Sequence, residues 1–405
     1  MRPLEGIRII DLSMGWAGPL ACRHMADLGA EVIKVESCVR FDWWRSWEAT
    51  PEWIEDDGAE KSSAFNMVNR NKMAITLELD VPQGRELLLQ LVADANAVVE
   101  NFSGGVLRKL DLEYEVLKAA NEKIILLSMQ PFGATGPWSE FRAYGSTVEQ
   151  SSGLPHLNGM PQDLPVMQHV ALGDAVGGIT GAQALLAALR HQHRTGEGQR
   201  VDLSQTEGLF PLASHGILHV TATGREPERG TDDLASMLHS GVYPCAGEDE
   251  WIVIEISEPS QWRALAQALD LPDDFADSET PEARVKRQET LARCTAERSA
   301  FELMQALQTL GVPATRTFSY GELLQHPHLN SRNFWQWRER AVVGNQPNPS
   351  APYRYGEDPL PVRNPAPTLG QHNVEVFTQQ LGLAQEEIDQ LAERGVIGWR
   401  PRMPD

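Results

Sequence analysis

Cysteine is scarce in this chain of 405 residues, which contains only Cys22, Cys38, Cys245 and Cys294. No two of them have the Cys-x-x-Cys spacing that is typical of zinc sites and redox pairs. A disulfide framework and a zinc site are therefore not expected, and no cluster of acidic residues or histidines indicates another metal. Reduced thiols are typical of a cytoplasmic protein, which is the localisation that we predict.

Long apolar runs are also scarce, and basic residues are fewer than acidic ones. The first residues, MRPLEGIRIIDLS, contain no apolar core of signal-peptide length, and no stretch reaches membrane-spanning length without charged or turn residues. We therefore expect no membrane partner. The formal net charge is −21, from 35 basic and 56 acidic residues. Because such a chain repels phosphate backbones, we expect no nucleic-acid partner either.

An alternation of strand and helix patterns fills the first half of the chain. Residues 6–13 and 31–36 favour buried strands, and a helix pattern over 17–30 lies between them, as in a βαβ unit of a parallel sheet. Further strand patterns at 96–101, 123–129 and 199–204 alternate with helix patterns at 82–95, 178–194 and 205–222. We predict an α/β fold with a doubly wound, Rossmann-like large domain.

A polar, glycine-bearing stretch at residues 221–233 is typical of a linker. We predict a large domain at 1–222, a smaller α+β domain at 223–330 and a C-terminal segment at 331–405. The last of these begins with a proline-rich stretch. We therefore expect this stretch to run irregularly over a surface rather than to form a core, and we predict a final pair of helices at 373–382 and 385–395.

Asp174 stands in the glycine-rich stretch LGDAVGG, where a long apolar helix pattern begins. Unpaired amides at a helix N-terminus favour an ionised carboxylate, and Gly173, Gly177 and Gly178 let a ligand approach closely. An ionised carboxylate can attack an activated acyl group without a base, and the same amides can stabilise an oxyanion. The alternative at this point is a plain helix N-cap.

Two segments follow predicted strands, where open α/β sheets bind their ligands. The first, residues 128–146, is a glycine-bearing turn with Arg142 and Tyr144. Its alternative is a purely structural loop. The second, residues 35–53, is rich in tryptophan and arginine.

The tryptophan-rich segment permits several kinds of contact. Arg40 and Arg45 offer guanidinium groups to phosphates. Its tryptophans offer flat faces to an adenine or a substrate and, with Asp42, could enclose a quaternary ammonium. These tryptophans are Trp43, Trp44 and Trp47. The alternative is a packing segment or a partner interface.

Other basic residues are candidates because side chains in loops before or after strands can hold phosphates. These are Arg70, Lys72, Arg108 and Lys109. Most such residues are solvated surface. Among the histidines, His191 and His193 are two residues apart on a helix and do not form a metal pair.

Several motifs occur in a fixed order over nearly the whole chain. They are PLEGIRIIDLS, AGPLACRHMADLGAEVIKVE, NRNKMAITLEL, VENFSGGVLRKLDL, PFGATGP, LGDAVGGITGAQALLAALRHQHRTGEGQRVDLS and APTLGQHNVEV. Taken together they resemble the class III CoA-transferase family, which includes formyl-CoA, carnitine and benzylsuccinate CoA-transferases and the α-methylacyl-CoA racemases. The resemblance implies a large Rossmann-like CoA-binding domain completed by the C-terminal segment, and a homodimer of interlocked chains with the active site at their interface.

The resemblance also implies a mechanism. Asp174 would attack an acyl-CoA to form an acyl-aspartyl anhydride, and the released CoA thiolate would convert the anhydride into an aspartyl-CoA thioester. The acceptor carboxylate would then repeat the exchange in reverse. Coenzyme A and its thioesters would be substrates, and no tightly bound cofactor is implied.

The resemblance places CoA along the loops that hold Arg40, Leu77, Asn101, Phe102, Lys109 and Arg142. Lys109 stands where related transferases often have arginine. Ser37 stands where some have a phosphate-binding arginine, so that Arg40 or Arg45 would take that task. The implied substrate-side residues are Trp16, Trp47 and Tyr144. A tryptophan at position 16 argues against oxalate and favours a bulkier or more apolar acid.

Two other functions remain open at this stage. The racemase branch uses a histidine and the same aspartate as an acid/base pair about the α-carbon. Tyr144 stands at the position of that histidine, which leaves His169 or His239 as substitutes. The other possibility is a CoA-ester binder or one subunit of a heteromeric transferase. The presence of Asp174 counts against an inactive chain.

Overall fold

The computed structural model of this protein describes residues 2–159, 162–167, 171–227, 229, 239–272 and 280–403, and of residues 281, 282 and 284 the backbone alone. The chain divides into two compact units. The first comprises Met1–Arg229 and Asn330–Asp405, and the second comprises Gly230–Leu329.

The elements are numbered in chain order. The strands are β1 (Arg8–Asp11), β2 (Glu31–Glu36), β3 (Met73–Thr76), β4 (Ala97–Glu100), β5 (Ile125–Gln130), β6 (Gln199–Ser204), β7 (His239–Pro244), β8 (Trp251–Ile256), β9 (Ala314–Arg316), β10 (Trp335–Arg340) and β11 (Gly344–Pro349). The helices are α1 (Ala17–Asp27), α2 (Pro51–Glu55), α3 (Ser63–Asn69), α4 (Pro82–Ala93), α5 (Val106–Lys109), α6 (Tyr114–Ala120), α7 (Gly145–Ser151), α8 (Leu172–Thr195), α9 (Phe210–Thr223), α10 (Pro259–Leu269), α11 (Pro281–Ala296), α12 (Ala300–Thr309), α13 (Tyr320–Gln325), α14 (Pro327–Ser331), α15 (Asn373–Leu381) and α16 (Gln385–Glu393).

A parallel sheet forms the centre of the first unit. Its strand order is β3-β2-β1-β4-β5-β6, and every neighbouring pair is parallel. The expected α/β architecture is thereby confirmed. The order in which strands are added to the sheet reverses between β1 and β4, which makes this the topological switch point. Ligands of such sheets bind at the switch point, beyond the carboxyl ends of the strands.

Strands β1, β4 and β5 are mostly apolar and buried because both faces of the sheet are covered. One face packs against α4, α15 and α16, and its core includes Ile10, Ile33, Ile75, Val98, Leu126 and Phe377. The other packs against α1 and α8, and its core includes Ile9, Val32, Val99, Ile125, Leu127 and Leu185. All of these side chains are buried, so this double core fixes the positions of the loops at the strand ends.

Glycines let α8 lie directly against α1 and the sheet. A Cβ atom on Gly178 would come within 2.7 Å of the Leu20 side chain. One on Gly181 would come within 2.7 Å of Met129. Larger residues would push the helices apart, so these glycines set the first turn of α8 close to the first turn of α1. By length and composition alone, α8 also resembles a membrane span, a test that core helices of soluble proteins pass as well.

In the first unit, the structure departs from the sequence prediction at a strand and at the start of a helix. Strand β3 was not predicted, because its four residues follow the charged Arg70 and Lys72 and leave too short an apolar run. Helix α8 begins at Leu172 rather than at residue 178. The intervening glycines have low helix propensity, and packing against α1 compensates for it.

The final pair of helices is confirmed as α15 and α16. The proline-rich stretch from about residue 331 was predicted to be irregular and to form no core, which is wrong. Strands β10 and β11 form an antiparallel hairpin. Beyond it, Ala351 and Leu360 join the core on the α1 side of the sheet, and Val376 and Phe377 join the opposite core. The prolines are accommodated because a two-stranded edge hairpin leaves outward N–H positions unpaired.

The second unit has a core of its own. Strands β7, β8 and β9 form an antiparallel sheet. Helices α10, α11 and α12 supply Trp262, Leu265, Leu291, Leu303 and Leu307 to the cluster that covers it. This is an α+β arrangement of helices against an antiparallel sheet.

Candidate active site

Asp174 is the third residue of α8, inside its first turn. The residue at the N-cap position is Ala171, with a left-handed φ of 34°, and the N–H of Leu172 donates to Oε2 of Glu149 at 3.2 Å. The interpretation of Asp174 as a plain N-cap is therefore wrong. Its carboxylate accepts hydrogen bonds from the backbone N–H groups of Ala17 and Gly145, which are the first residues of α1 and α7.

The environment of Asp174 changes its acidity. Burial raises the pKa of the carboxyl from 3.8 to about 6, and the two N–H donors offset only part of that effect. Among the described residues, no lysine, arginine or histidine contributes to the shift. At neutral pH the group is a poorly solvated carboxylate without a cationic partner in the described part of the chain. Such a carboxylate is suited to nucleophilic attack.

Two glycines make this close arrangement possible. A Cβ atom on Gly145 would lie 1.9 Å from Oδ2 of Asp174. One on Gly173 would lie 2.8 Å from the carbonyl oxygen of Gly145. Only glycine therefore lets the start of α7 approach the first turn of α8 closely enough to donate its N–H.

Asp174 opens into a cavity of about 530 Å³ at the carboxyl ends of the strands. Its walls come from the loops after β1, β4 and β5, which surround the switch point of the sheet. Asn101 joins two of these loops: its Oδ1 accepts from the N–H of Met14 and its Nδ2 donates to the Met14 carbonyl, both at 2.8 Å. Six residues that the sequence analysis named as candidates line the cavity: Trp43, Asn101, Phe102, Arg142, Tyr144 and Asp174.

Three predicted CoA contacts do not line this cavity. Arg40 is exposed and forms an ion pair with Asp80 at 2.7 Å. Lys109 is exposed at the end of α5. The Leu77 side chain is buried in the core and its N–H donates to the carbonyl of Glu36, so that neither group is available to a ligand.

Several charged residues that the sequence offered to phosphates or cations are buried in ion pairs. Arg45 lies between Glu36 at 2.9 Å and Glu60 at 3.0 Å, so the expectation that it binds a CoA phosphate is wrong. Asp42 pairs with Lys34 at 2.9 Å, which removes it from any ammonium site.

The same correction applies to the basic residues before β3. Arg70 pairs with Asp27 at 2.7 Å, and Lys72 pairs with Asp11 at 2.8 Å. All four side chains are buried. They are structural residues rather than phosphate ligands.

A buried network that the sequence analysis missed holds the loop after β1. Lys34 donates to the carbonyl of Ser13 at 2.8 Å, and the N–H of Gly15 donates to Oδ1 of Asp42 at 2.8 Å. This loop leads directly to Ala17, one of the two donors to Asp174. The available signal was the pair of charged residues inside the strand sequence EVIKVE, because buried charges in a strand need partners.

Aromatic rings lie next to this network at the cavity. The ring centroids of Trp43 and Trp47 are 4.4 Å apart. Tyr144 packs edge-on against both, at 5.7 and 5.5 Å, and Trp16 lies 5.4 Å from Trp44. Trp43 and Tyr144 line the cavity of Asp174, and Trp47 lines an adjoining open groove with Trp43. The three predicted substrate-side residues therefore belong to one aromatic group.

A model of CoA-transferase family III matches residues 4–373 of the chain. The chain belongs to this family. The succinyl-CoA–D-citramalate CoA-transferase of Chloroflexus aurantiacus is 32% identical over 402 residues, which cover 98% of both chains. The alpha subunit of succinyl-CoA–L-malate CoA-transferase from the same organism is 28% identical over 411 residues, 98% of this chain and 92% of the relative.

A solved structure agrees with this assignment. A CAIB/BAIF family protein from Brucella suis has a TM-score of 0.81 at 28% identity, over 93% of this chain and 99% of that chain. The family III CoA-transferase described here is therefore an enzyme of acyl-CoA metabolism that moves CoA between a thioester and a free carboxylic acid. CoA thioesters are its substrates.

Among the described residues of this family III CoA-transferase, no histidine lines the cavity of Asp174. His239 is buried in the second unit against Tyr243 and Trp262, and His169 lies outside the described residues. Within the described part of the chain, no three histidine, cysteine or acidic side chains form a group that could hold a metal ion.

Proposed function

We propose that Asp174 is the nucleophile of the CoA transfer. An oxygen of its carboxylate attacks the thioester carbonyl of the donor, the C–O bond forms, and the C–S bond breaks to release CoA thiolate and leave an acyl-aspartyl anhydride. The thiolate attacks Cγ of Asp174, which forms an aspartyl-CoA thioester and releases the donor acid as a carboxylate. The acceptor carboxylate reverses these two steps and leaves as the new acyl-CoA.

The observation that carries this proposal is the environment of the carboxylate. It lies in a cavity at the switch point, its pKa is raised to about 6 by burial, and its donors are two backbone N–H groups rather than a cation. An acid that served only the fold would gain more from an ion pair. The N–H groups of Ala17 and Gly145 also remain in place as charge moves between the carboxylate and the tetrahedral intermediates, which lowers the barrier to each attack.

The loops around the cavity support a binding path for CoA. We assign the pantetheine arm to the surface formed by Asn101 and Phe102, which lines the cavity that contains Asp174. Arg142 at this cavity, and the exposed Lys109 and Arg40 beyond it, are the cations that we assign to the phosphates. The Asn101 side chain acts by holding the loops together, since its amide is already used by Met14.

The assembly and location of the enzyme are part of the proposal. We assign it as a cytoplasmic homodimer of interlocked chains, without a tightly bound cofactor. The four cysteines are all free thiols, which supports a reducing compartment. The relative named as an alpha subunit makes a heteromer the alternative assembly.

Mass spectrometry of the intact protein after incubation with acyl-CoAs tests the mechanism. We expect an aspartyl-CoA thioester on the peptide that contains Asp174, and hydroxylamine should release it. The Asp174→Asn variant should show no adduct, whereas Asp94→Asn, at an exposed helix end, should behave as the parent. Exchange of solvent deuterium into the α-carbon of a 2-methylacyl-CoA without any adduct would contradict the transferase mechanism.

A further inference from the structure

The two N–H donors to Asp174 each follow an aromatic residue. Trp16 immediately precedes Ala17, and Tyr144 immediately precedes Gly145. Neighbouring Cα atoms are about 3.8 Å apart, so each ring is anchored one peptide away from a hydrogen-bond partner of the nucleophile. An acyl group on Asp174 must therefore lie close to aromatic side chains.

Trp43 packs beside these aromatic residues, and we call the group of Trp43, Trp47 and Tyr144 the aromatic wall. A Cβ atom on Gly15 would lie 2.1 Å from Cζ2 of Trp43, so the indole is packed directly on the backbone of the loop after β1. Gly15 has a φ of +76°, which together with this contact restricts the position to glycine. The wall of Trp43, Trp47 and Tyr144 is thus held in place by the loop that leads to Ala17.

The charges around the cavity are few. Among the described lining residues, Asp174 is the acid and Arg142 is the cation, and we have assigned Arg142 to CoA. The nearby Lys34 and Arg45 are already neutralised by buried carboxylates. A second carboxylate on the acyl group would lose water at the aromatic wall without gaining a cationic partner among the described lining residues, which is costly.

A quaternary ammonium on the acyl group fits no better. Such a cation needs open ring faces around it, within about 6 Å of each centroid. Here Trp43, Trp47 and Tyr144 pack against one another with centroids 4.4 to 5.7 Å apart, which leaves no space between them. The neighbouring acid that could balance the cation, Asp42, is paired with Lys34.

We propose that this enzyme transfers CoA to or from a monocarboxylic acid whose body is uncharged, apolar and of the size of an aromatic ring. The inference rests on the proposed function, since the acyl group meets the aromatic wall only while it is bonded to Asp174. The wall supplies flat apolar contacts on which a phenyl or similar group packs edge-on or offset.

The test compares the formation of the aspartyl-CoA thioester from three donors of similar length. These are 3-phenylpropionyl-CoA, glutaryl-CoA and 4-(trimethylammonio)butyryl-CoA. We expect kcat/KM for adduct formation to be roughly tenfold or more higher with the phenyl donor. A higher value with either charged donor overturns the inference and leaves the nucleophile intact. No adduct from any thioester overturns the proposed function and the inference together.

Three variants locate the preference in the aromatic wall. Trp47 is 67% exposed and its ring is not required by the core, so Trp47→Leu should fold and reduce the preference for the phenyl donor severalfold. Tyr144→Arg places a cation beside Gly145 and should shift the preference toward glutaryl-CoA. Trp337→Leu, on the half-exposed hairpin strand β10, is the matched control and should change nothing. A preference that survives both wall variants contradicts the inference.

Discussion

At the scale of single residues, Asp174 shows how a carboxylate becomes reactive without a base. It is largely removed from water and has no cationic partner among the described residues, and its pKa is raised to about 6 as a result. The N–H groups of Ala17 and Gly145 hold it in one orientation. The same features that prepare the carboxylate for attack also lower the free energy of unfolding at neutral pH.

The first prediction concerns the pH dependence of the transfer. The protonated carboxyl is not a nucleophile, so kcat/KM for aspartyl-CoA formation should be constant above about pH 7 and fall tenfold per pH unit well below 6. The measurement is the rate of adduct formation between pH 4.5 and 8. A profile that rises as the pH falls would contradict the assignment of an ionised Asp174 as nucleophile.

The second prediction concerns stability. Because the folded-state pKa is raised above the unfolded value, the Asp174 contribution to the free energy of unfolding falls as the pH rises from about 4 to 6. At pH 7.5 the Asp174→Asn variant should therefore be more stable than the parent, by about 1 to 3 kcal/mol. The gain should shrink toward pH 4.5. Thermal unfolding of the parent and the Asp174→Asn variant between pH 4.5 and 7.5, with Asp94→Asn as control, measures this difference in stability.

At the scale of elements, three helix starts meet at one carboxylate because glycines remove the atoms that would keep them apart. Gly145 and Gly173 bring α7 to α8, and Gly178 brings α8 to α1. The loop after β1 is held by Lys34 and Asp42, two charges buried in and next to β2. The geometry around Asp174 therefore depends on how closely these elements pack.

The third prediction tests the contact between α7 and α8. Gly145→Ala places a methyl group 1.9 Å from Oδ2 of Asp174, so that the carboxylate or the start of α7 must move. Displacement of about 1 Å typically costs on the order of a hundredfold in rate, and we expect a loss of that size in adduct formation. Gly321→Ala, a helical glycine with open space around it, is the matched control. Equal activity of the two variants would refute the contact.

The fourth prediction tests the buried network. Asp42→Asn leaves the buried ammonium group of Lys34 without its closest carboxylate, which should lower the free energy of unfolding by about 3 kcal/mol. Arg40→Gln breaks the exposed pair with Asp80 and should cost less than about 0.5 kcal/mol. Urea unfolding of the two variants provides the comparison. A loss for Asp42→Asn as small as that for Arg40→Gln would mean that the pair contributes little to the fold.

At the scale of the whole molecule, the prediction concerns assembly. The chain purified alone should have twice the 44.9 kDa mass of one protomer in native mass spectrometry, and the dimer should form the adduct. A stable monomer without activity would favour a heteromeric enzyme. The charge of −21 should keep the protein soluble during this measurement.

The sequence determined much of the architecture through local pattern. The strand boundaries at 31–36 and 199–204 were predicted to the residue, because short segments with β-branched and apolar residues that follow glycine-bearing turns are local signals. Asp174 was singled out because a glycine-flanked acid at a helix start is also local. Strand β3 was missed because its strand character comes from pairing with β2 rather than from its four residues.

The tertiary structure alone decided the chemistry around that acid. No spacing in the sequence indicates that Ala17 and Gly145, 157 and 29 residues away, donate to Asp174. The sequence also does not show that Arg45, Arg70 and Lys72 form ion pairs with buried carboxylates, whereas Arg142 is exposed. Burial and long-range pairing arise only when distant segments pack, and these two effects set which charges remain available for function.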